Sequence, residues 1–326
     1  MLLPPLRCLG TDSEITWVTS RKAFPLLEHN SLIDRLVSID DSSTTAWRSD
    51  DYDWVISLDD ECDSSRLAAE LNTRRLSGAY RSSDLRHQYT EDMTEWFGMG
   101  LLRPESEGGL SRANELKQGN KLTYGTILYQ CLNLPPPVAR PQITVLPESH
   151  ERVQAWIAGS PLAASSRFVG VNSGAGGRWK YKSWGEDQTA ALAAELHQKF
   201  GVGVVILGGE RERDRNQRIK KMAFDSCTVA PPDWDIKCFS ALIGQCEVVI
   251  TSDSLALHLA VANRVPAVGF FGPTSAAEID IFDCGTKVVT GLSCRCCYLS
   301  SCDVRPHCME SIMVNDLLEA VSGWLS

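Results

Sequence analysis

The stretch CEVVITSDSLALHLAVANRVPAVGFFGPT, residues 246–274, constrains the fold more than any other part of the chain. The run 248–250 is short, β-branched and framed by polar residues, as a strand buried in a parallel sheet reads. Thr251, Ser252, Asp253 and Ser254 then bring N-cap chemistry, and Leu255, Leu257, His258, Leu259, Val261 and Ala262 continue as a helix. A second strand over 265–271 closes on Gly272 and Pro273. The polar turn of this strand–helix–strand unit falls at the carboxyl end of a strand, where open α/β sheets bind ligands. A helix start there leaves N–H groups unpaired and carries a partial positive charge, which suits a phosphate. Asp253, being acidic, is better placed to cap the helix or hold a hydroxyl than to touch that phosphate.

The order Asp-Ser/Thr, three residues, His, then Pro and Phe-Gly-Pro-Thr resembles the signature of glycosyltransferase family 9, the lipopolysaccharide heptosyltransferases. Asp253, Ser254, His258, Ala260, Pro266, Phe271, Gly272, Pro273 and Thr274 carry the match. Leu255 departs from it, since the family usually has Gly there. A leucine side chain narrows the approach of a ligand to the backbone. The resemblance runs over about 167–276 and, less fully, over 14–58.

With 326 residues, 43% of them hydrophobic, the chain is long enough for two medium α/β domains with separate cores. A formal net charge of -9 argues against nucleic acid as a partner, because such binding needs a basic surface. No apolar run reaches the ~18 residues of a membrane-spanning helix. The opening MLLPPLRCLG is short, proline-broken and without a basic n-region, so it does not read as a signal peptide and a cytoplasmic protein is expected. Of the twelve cysteines, Cys131, Cys227, Cys238 and Cys246 are scattered singly in apolar segments and read as small buried thiols.

Strands are expected over 14–19, 32–39 and 53–58, separated by helical or loop pieces, which implies a parallel sheet. A helix is expected over 64–76, ending near Gly78, and further helices over 113–117 and 124–132 inside a polar excursion. Pro135, Pro136, Pro137, Pro141 and Pro147 form a stiff linker, followed by a helix to about residue 157. The domain boundary is set near residue 160, and the resemblance implies an acceptor-side domain over 1–160 and a nucleotide-sugar-binding domain over 161–326. After a strand over 167–172 comes SGAGGRWKYKSW, whose Gly174, Gly176 and Gly177 permit close backbone approach and whose Arg178, Lys180 and Lys182 add charge. The glycine spacing is not a dinucleotide fingerprint. A helix over 186–200 with Leu192, Ala193 and Leu196 inward leads to a strand over 202–207 and the turn Gly208-Gly209-Glu210-Arg211-Glu212. The charge run RERDRNQRIKK reads as a solvated helix face, and a membrane or lipopolysaccharide contact is its minor reading. One more helix over 235–246 precedes the organising unit, and an amphipathic helix over 314–325 ends the chain.

What the resemblance implies is more specific. It implies two Rossmann-like domains facing a cleft, an α/β architecture of the GT-B type. It implies an ADP-sugar donor held by Ser173, Gly174, Lys182, Asp253, Ser254, Leu255, His258, Gly272 and Thr274, with Lys182, Ser183 and Trp184 matching the family's Lys-x-Trp. It places a carboxylate near the nucleotide, where Glu212 fits the spacing and Glu210 is close to it. Lys182 and the helix start would offset charge on the departing diphosphate without a metal, and no cofactor is expected. His258 stands one turn past Asp253 on the same helix face, as a ligand contact or as a structural histidine bonded across the turn. The acceptor would be lipopolysaccharide or another surface glycan, with room for peripheral contact at the inner membrane.

The family's base is an Asp in a Leu-Gly-Asp turn after the first strand, whereas here MLLPPLRCLG reads as the helix after such a turn. The expected first strand and its Asp are missing, so the catalytic base is unassigned. Either the true start lies upstream of Met1, or the chain binds nucleotide sugars without efficient catalysis. Asp12 imitates the motif on the wrong side of the helix, and Asp59, Asp60 and Glu61 are substitutes at a strand end. Cys294, Cys296, Cys297, Cys302 and Cys308, beside His307, fit metal-ligand spacing only loosely. Some relatives share the order Cys297, Tyr298, Cys302, Cys308, Met309. The reading from sequence is thus a glycosyltransferase, against a non-catalytic nucleotide-sugar module and a metal-binding protein built on the cysteines.

Overall fold

Packing divides the chain after Ala139, giving the units Met1–Ala139 and Arg140–Ser326. The computed structural model describes residues 1–10, 12–41, 46–84, 86–98, 108–176, 180–299 and 301–325. Gly177 and Arg178 of the expected glycine loop lie outside the described residues, as does the side chain of Lys180. The division comes earlier than the boundary expected near residue 160. The segment after the prolines is built onto the second unit: Lys237 Nζ donates to the Thr144 carbonyl at 2.6 Å, and the helix Pro147–Ala158 packs on the helix Ile236–Ile243.

The first unit runs α1 (Leu3–Arg7), β1 (Thr16–Thr19), α2 (Phe24–Leu27), β2 (Arg35–Ser38), β3 (Asp51–Tyr52), β4 (Val55–Ser57), α3 (Cys62–Glu70), β5 (Asn72–Thr73), β6 (Leu76–Arg81), β7 (His87–Tyr89), α4 (Thr94–Gly98), α5 (Gly109–Gly119) and α6 (Tyr124–Cys131). β1 pairs with β2, β3 with β5 and β4 with β6, all parallel, and β7 joins β6 antiparallel. Leu128, Tyr129, Leu132, Met93, Phe97 and Ala79 share one buried cluster.

The helix expected over 64–76 ends at Glu70, and the residues around Gly78 are strand. Gly78 has φ +125°, and a Cβ there would lie 1.9 Å from the Ser57 carbonyl oxygen. The glycine marks close approach of β6 to β4, which in sequence looks like a helix stop. Gly78→Ala should therefore cost the first unit about 3 kcal/mol, through backbone strain and a parted β4–β6 pair. A urea midpoint equal to that of the unsubstituted chain would refute this.

The second unit runs α7 (Pro147–Ala158), β8 (Phe168–Asn172), α8 (Glu186–Phe200), β9 (Gly203–Ile206), α9 (Arg213–Ala223), β10 (Thr228–Val229), α10 (Ile236–Ile243), β11 (Val248–Ser252), α11 (Leu255–Ala262), β12 (Ala267–Phe271), β13 (Gly285–Val289) and α12 (Val314–Leu325). Its six strands pair in the order β10-β9-β8-β11-β12-β13, every pair parallel. Burial on both faces explains the near-continuous apolar runs of β8, β9, β11 and β12.

Leu192, Ala193 and Leu196 of α8 are fully buried, as their helical spacing predicts. Leu317, Leu318, Val321 and Leu325 of α12 join the same cluster as Val169, Val171, Val248, Ile250, Val268 and Phe270. Burying each such side chain contributes about 1.5–3 kcal/mol. The last helix thus belongs to the second unit's own core. Among the described residues no helix is long and apolar enough to cross a membrane.

Candidate functional site

Asn172 pairs with Thr251, and Ser252 with Phe270, so β8, β11 and β12 end at nearly one level. The loops that begin at Ser173, Asp253 and Gly272 therefore share the carboxyl edge of the sheet, with the Gly208-Gly209 turn after β9 beside them. This edge is the ligand side of an open parallel sheet.

The glycine loop brings Lys182 to that edge. Its Nζ lies 2.7 Å from Asp253 Oδ2, with both side chains 16% exposed. An ion pair so far withdrawn from water interacts more strongly than the usual surface pair. Asp253 directly precedes Ser254, the N-cap of α11, and Ser254 makes no side-chain cap. Its hydroxyl is taken instead by Asn172 Nδ2 at 2.9 Å and Thr251 Oγ1 at 3.0 Å. Among the described residues the N–H groups of Leu255 and Ala256 are thereby left for another acceptor, while that of Leu257 donates to the Ser254 carbonyl at 3.1 Å.

Leu255 is the first residue of α11, where the Cα–Cβ bond tilts toward the helix start. It is 46% exposed at this edge. His258 is the other exposed residue of α11. Desolvation by the surrounding protein holds its imidazole below the ordinary pKa; Asp253 opposes that shift and Lys182 adds to it. Thr274 is buried, and its Oγ1 has no hydrogen-bond partner among the described residues. A hydroxyl left unmet costs about 1–3 kcal/mol, which a polar ligand at this edge would recover.

The other candidates at this edge have neighbours of their own. Glu210 sits exposed in an ion pair with Arg213 at 2.6 Å. Glu212 accepts from the backbone N–H of Gly176 on one oxygen and of Gly209 on the other, each at 3.1 Å. Ser173 is fully buried, its hydroxyl 3.1 Å from an Arg215 guanidinium nitrogen. A Cβ on Gly174 would lie 2.6 Å from Glu212 Cγ, so this glycine serves close packing of the two turns. Gly272 serves the cysteine segment: a Cβ there would lie 2.7 Å from Cys308 Sγ and 2.8 Å from Met309 Sδ.

All twelve cysteines are free thiols. Burial pushes Cys308 up to about 11, with Cys297, Cys294 and Cys302 adding to the shift, and raises Cys296 in the same direction. Among the described residues no three side chains of His, Cys, Asp or Glu gather as a metal set, Cys294, Cys296, Cys297, Cys302 and Cys308 included.

Sequence reasoning passed over Asn172 and Arg215. Asn172 bonds Gly174, Thr251 and Ser254 from the last position of β8. Arg215 was folded into a solvated charge run. The signal against that reading is Ile219, one turn on and fully buried, which turns the Arg215 side of α9 inward.

A parallel six-stranded unit with an anion-suited carboxyl edge, preceded by a second α/β unit, defines a two-domain fold of the GT-B type. The chain belongs to glycosyltransferase family 9 (heptosyltransferase), whose model matches residues 120–297, more than half of its length. It is 24% identical over 176 residues to lipooligosaccharide heptosyltransferase 2 of Campylobacter jejuni subsp. jejuni serotype O:2, covering 50% of this chain and 53% of that protein. The chain spans about half the length of the curated relatives it matches. In fold it is similar to the crystal structure of the glycosyl transferase family 9 from Veillonella parvula DSM 2008 (TM-score 0.73, 19% identity, 99% of this chain and 91% of that one). It is also similar to the E. coli ADP-heptose lps heptosyltransferase II (TM-score 0.68, 16% identity, 99% and 93%).

Proposed function

We propose that the chain is a glycosyltransferase that moves a heptose-like sugar from an ADP-sugar to a lipopolysaccharide or other surface-glycan acceptor. The observation that carries this reading is the meeting of Lys182 with Asp253 at the uncapped start of α11. A diphosphate seated there accepts from the helix N–H groups and from Lys182, and Thr274 Oγ1 supplies a further donor. Leu255 and His258 border it, Gly174 belongs to the loop that walls it, and Asp253 holds the lysine.

In the transfer, the acceptor hydroxyl oxygen attacks the anomeric carbon while the bond from that carbon to the diphosphate oxygen breaks. The electron pair leaves with the diphosphate, and the hydroxyl proton goes to a base this reading leaves unassigned. Positive charge from Lys182 and α11 offsets the charge that builds on the departing group. Inversion at the anomeric carbon and independence of a metal are part of the proposal, as the family resemblance implies. The acceptor and any peripheral membrane contact at the cytoplasmic face rest on the same resemblance.

A thermal-shift series with ADP, UDP and GDP tests the donor. A ligand at 100 times its Kd stabilises the folded state by about 2.7 kcal/mol, so ADP should raise the melting temperature and UDP and GDP should not. No shift with any of the three would remove the donor reading.

A further inference from the structure

We propose that Asn172 is a positioning residue for the donor diphosphate: it holds the Ser254 hydroxyl against the sheet, so that Ser254 does not cap α11 and the helix start stays open for the phosphates. Asn172 does not itself touch the donor, and its role rests on the donor reading above. Ser254 has the extended backbone of an N-cap residue, with φ -151° and ψ 174°, yet its side chain makes no cap. Elsewhere the chain does use such caps: Thr123 at the start of α6 and Asp235 at the start of α10 each accept from the backbone N–H three residues on. The buried, unmet Thr274 hydroxyl at the same edge points separately to a polar ligand there.

Thr251 Oγ1 donates to the Ser252 carbonyl at 2.9 Å, so its hydrogen is spent and it accepts from its other neighbours. Those are the Ser254 hydroxyl at 3.0 Å and Asn172 Nδ2 at 3.2 Å. The Ser254 hydrogen therefore points at Thr251, while the Ser254 oxygen accepts from Asn172 Nδ2 at 2.9 Å. The Gly174 carbonyl, 3.3 Å from the same nitrogen, can only accept, which sets the amide with its NH2 toward this cluster. Asn172 and Thr251 are ladder partners at the ends of β8 and β11, and both are buried. Two bonds, one given and one taken, thus turn the Ser254 side chain toward a rigid sheet and away from its own helix.

Released from Asn172, the Ser254 hydroxyl would turn to the Ala256 N–H, the bond an N-cap serine ordinarily makes. That N–H is one of the two left open, since Leu257 already donates to the Ser254 carbonyl. A helix that caps itself gains stability and withdraws a donor from the ligand, because the phosphate must then displace a bond already made within the protein. An N–H kept open in advance carries no such cost. Asn172 therefore turns what reads in sequence as a capped helix start into a seat for an anion.

The test is calorimetric titration of the full chain with ADP, inorganic pyrophosphate and adenosine. Asn172→Ala should weaken ADP and pyrophosphate by about fivefold, the effect of a newly made cap, and leave adenosine unchanged. In a Ser254→Ala background, where no hydroxyl is present to cap the helix, Asn172→Ala should weaken ADP no further, because residues acting through one group are not additive. Thr251→Val, which removes only the group that takes the Ser254 hydrogen, should weaken ADP by about twofold, and it carries the test if Asn172→Ala does not fold. A loss in the Ser254→Ala background equal to that without it, adenosine losing as much as ADP, or unchanged ADP binding in the variant that carries the test would each overturn the role of Asn172. An unsubstituted chain that binds neither ADP nor pyrophosphate would overturn the donor reading and this role with it, whereas intact ADP binding with any of the other outcomes removes the role of Asn172 alone.

Discussion

Lys182→Ala weakens ADP binding by about 10- to 100-fold while adenosine binding stays within about twofold, the range expected when a charge-assisted hydrogen bond of roughly 1.5–3 kcal/mol is lost. The lysine is 84% withdrawn from solvent by its side chain's exposure of 16%, and its partner in the free protein is Asp253. Truncating it does two things to an arriving diphosphate: it removes the attractive cation, and it leaves a carboxylate at the same opening with no counter-charge. Both act on the phosphates and neither acts on a nucleoside. The double variant Lys182→Ala/Asp253→Ala should therefore bind ADP better than Lys182→Ala alone, since the repulsion goes with the carboxylate. Titration of ADP and adenosine into the three variants decides the matter. Equal losses for the two ligands would mean that Lys182 supports the loop and does not meet the phosphates.

Much of the second unit was legible because its patterns are local. Glu186–Phe200, Leu255–Ala262 and Val314–Leu325 are helices with the bounds their periodicity predicts, each framed by glycine, cap or strand signals. The carboxyl-edge placement of Asp253 followed from strand–helix–strand order, and Lys182 was picked out by the resemblance of its loop to the family's. What stayed hidden depends on which side of an element a residue faces, or on contact between segments distant in sequence. Gly78 and Gly272 look alike as letters, yet one lets two strands approach and the other makes room for Cys308 and Met309. Arg215 looks like its charged neighbours until Ile219 shows which way the helix is turned. Glu212 fits the spacing that the family resemblance reads as nucleotide contact, and the bonds it accepts from Gly176 and Gly209 join segments that the spacing does not name. The core that α12 joins was not legible, because amphipathicity tells that a helix packs and not upon what.

Trp184→Ala is expected to cost about 3–5 kcal/mol of stability, the usual range for deleting a fully buried aromatic side chain. Trp184 is 1% exposed, lies 5.7 Å from the Phe270 ring by centroids, and belongs to the core shared by the sheet, α8 and α12. Its Nε1 donates to the Ile312 carbonyl at 3.0 Å, an oxygen that Gln188 Nε2 also serves at 3.1 Å, so truncation removes one of two bonds near the start of α12. For a unit of this size the melting temperature should fall by roughly 10 °C, at 2–4 °C per kcal/mol. Trp184→Phe keeps most of the volume and loses the N–H, so its cost should be smaller, about 1–3 kcal/mol. Leu317→Ala in α12 removes buried surface from the same core without touching the loop. If Trp184 holds the end of the glycine loop as well as the core, then at a temperature where both variants are folded, Trp184→Ala loses ADP affinity and Leu317→Ala keeps it. Equal ADP affinity in the two would confine Trp184 to the core and sever the link between that core and the position of Lys182.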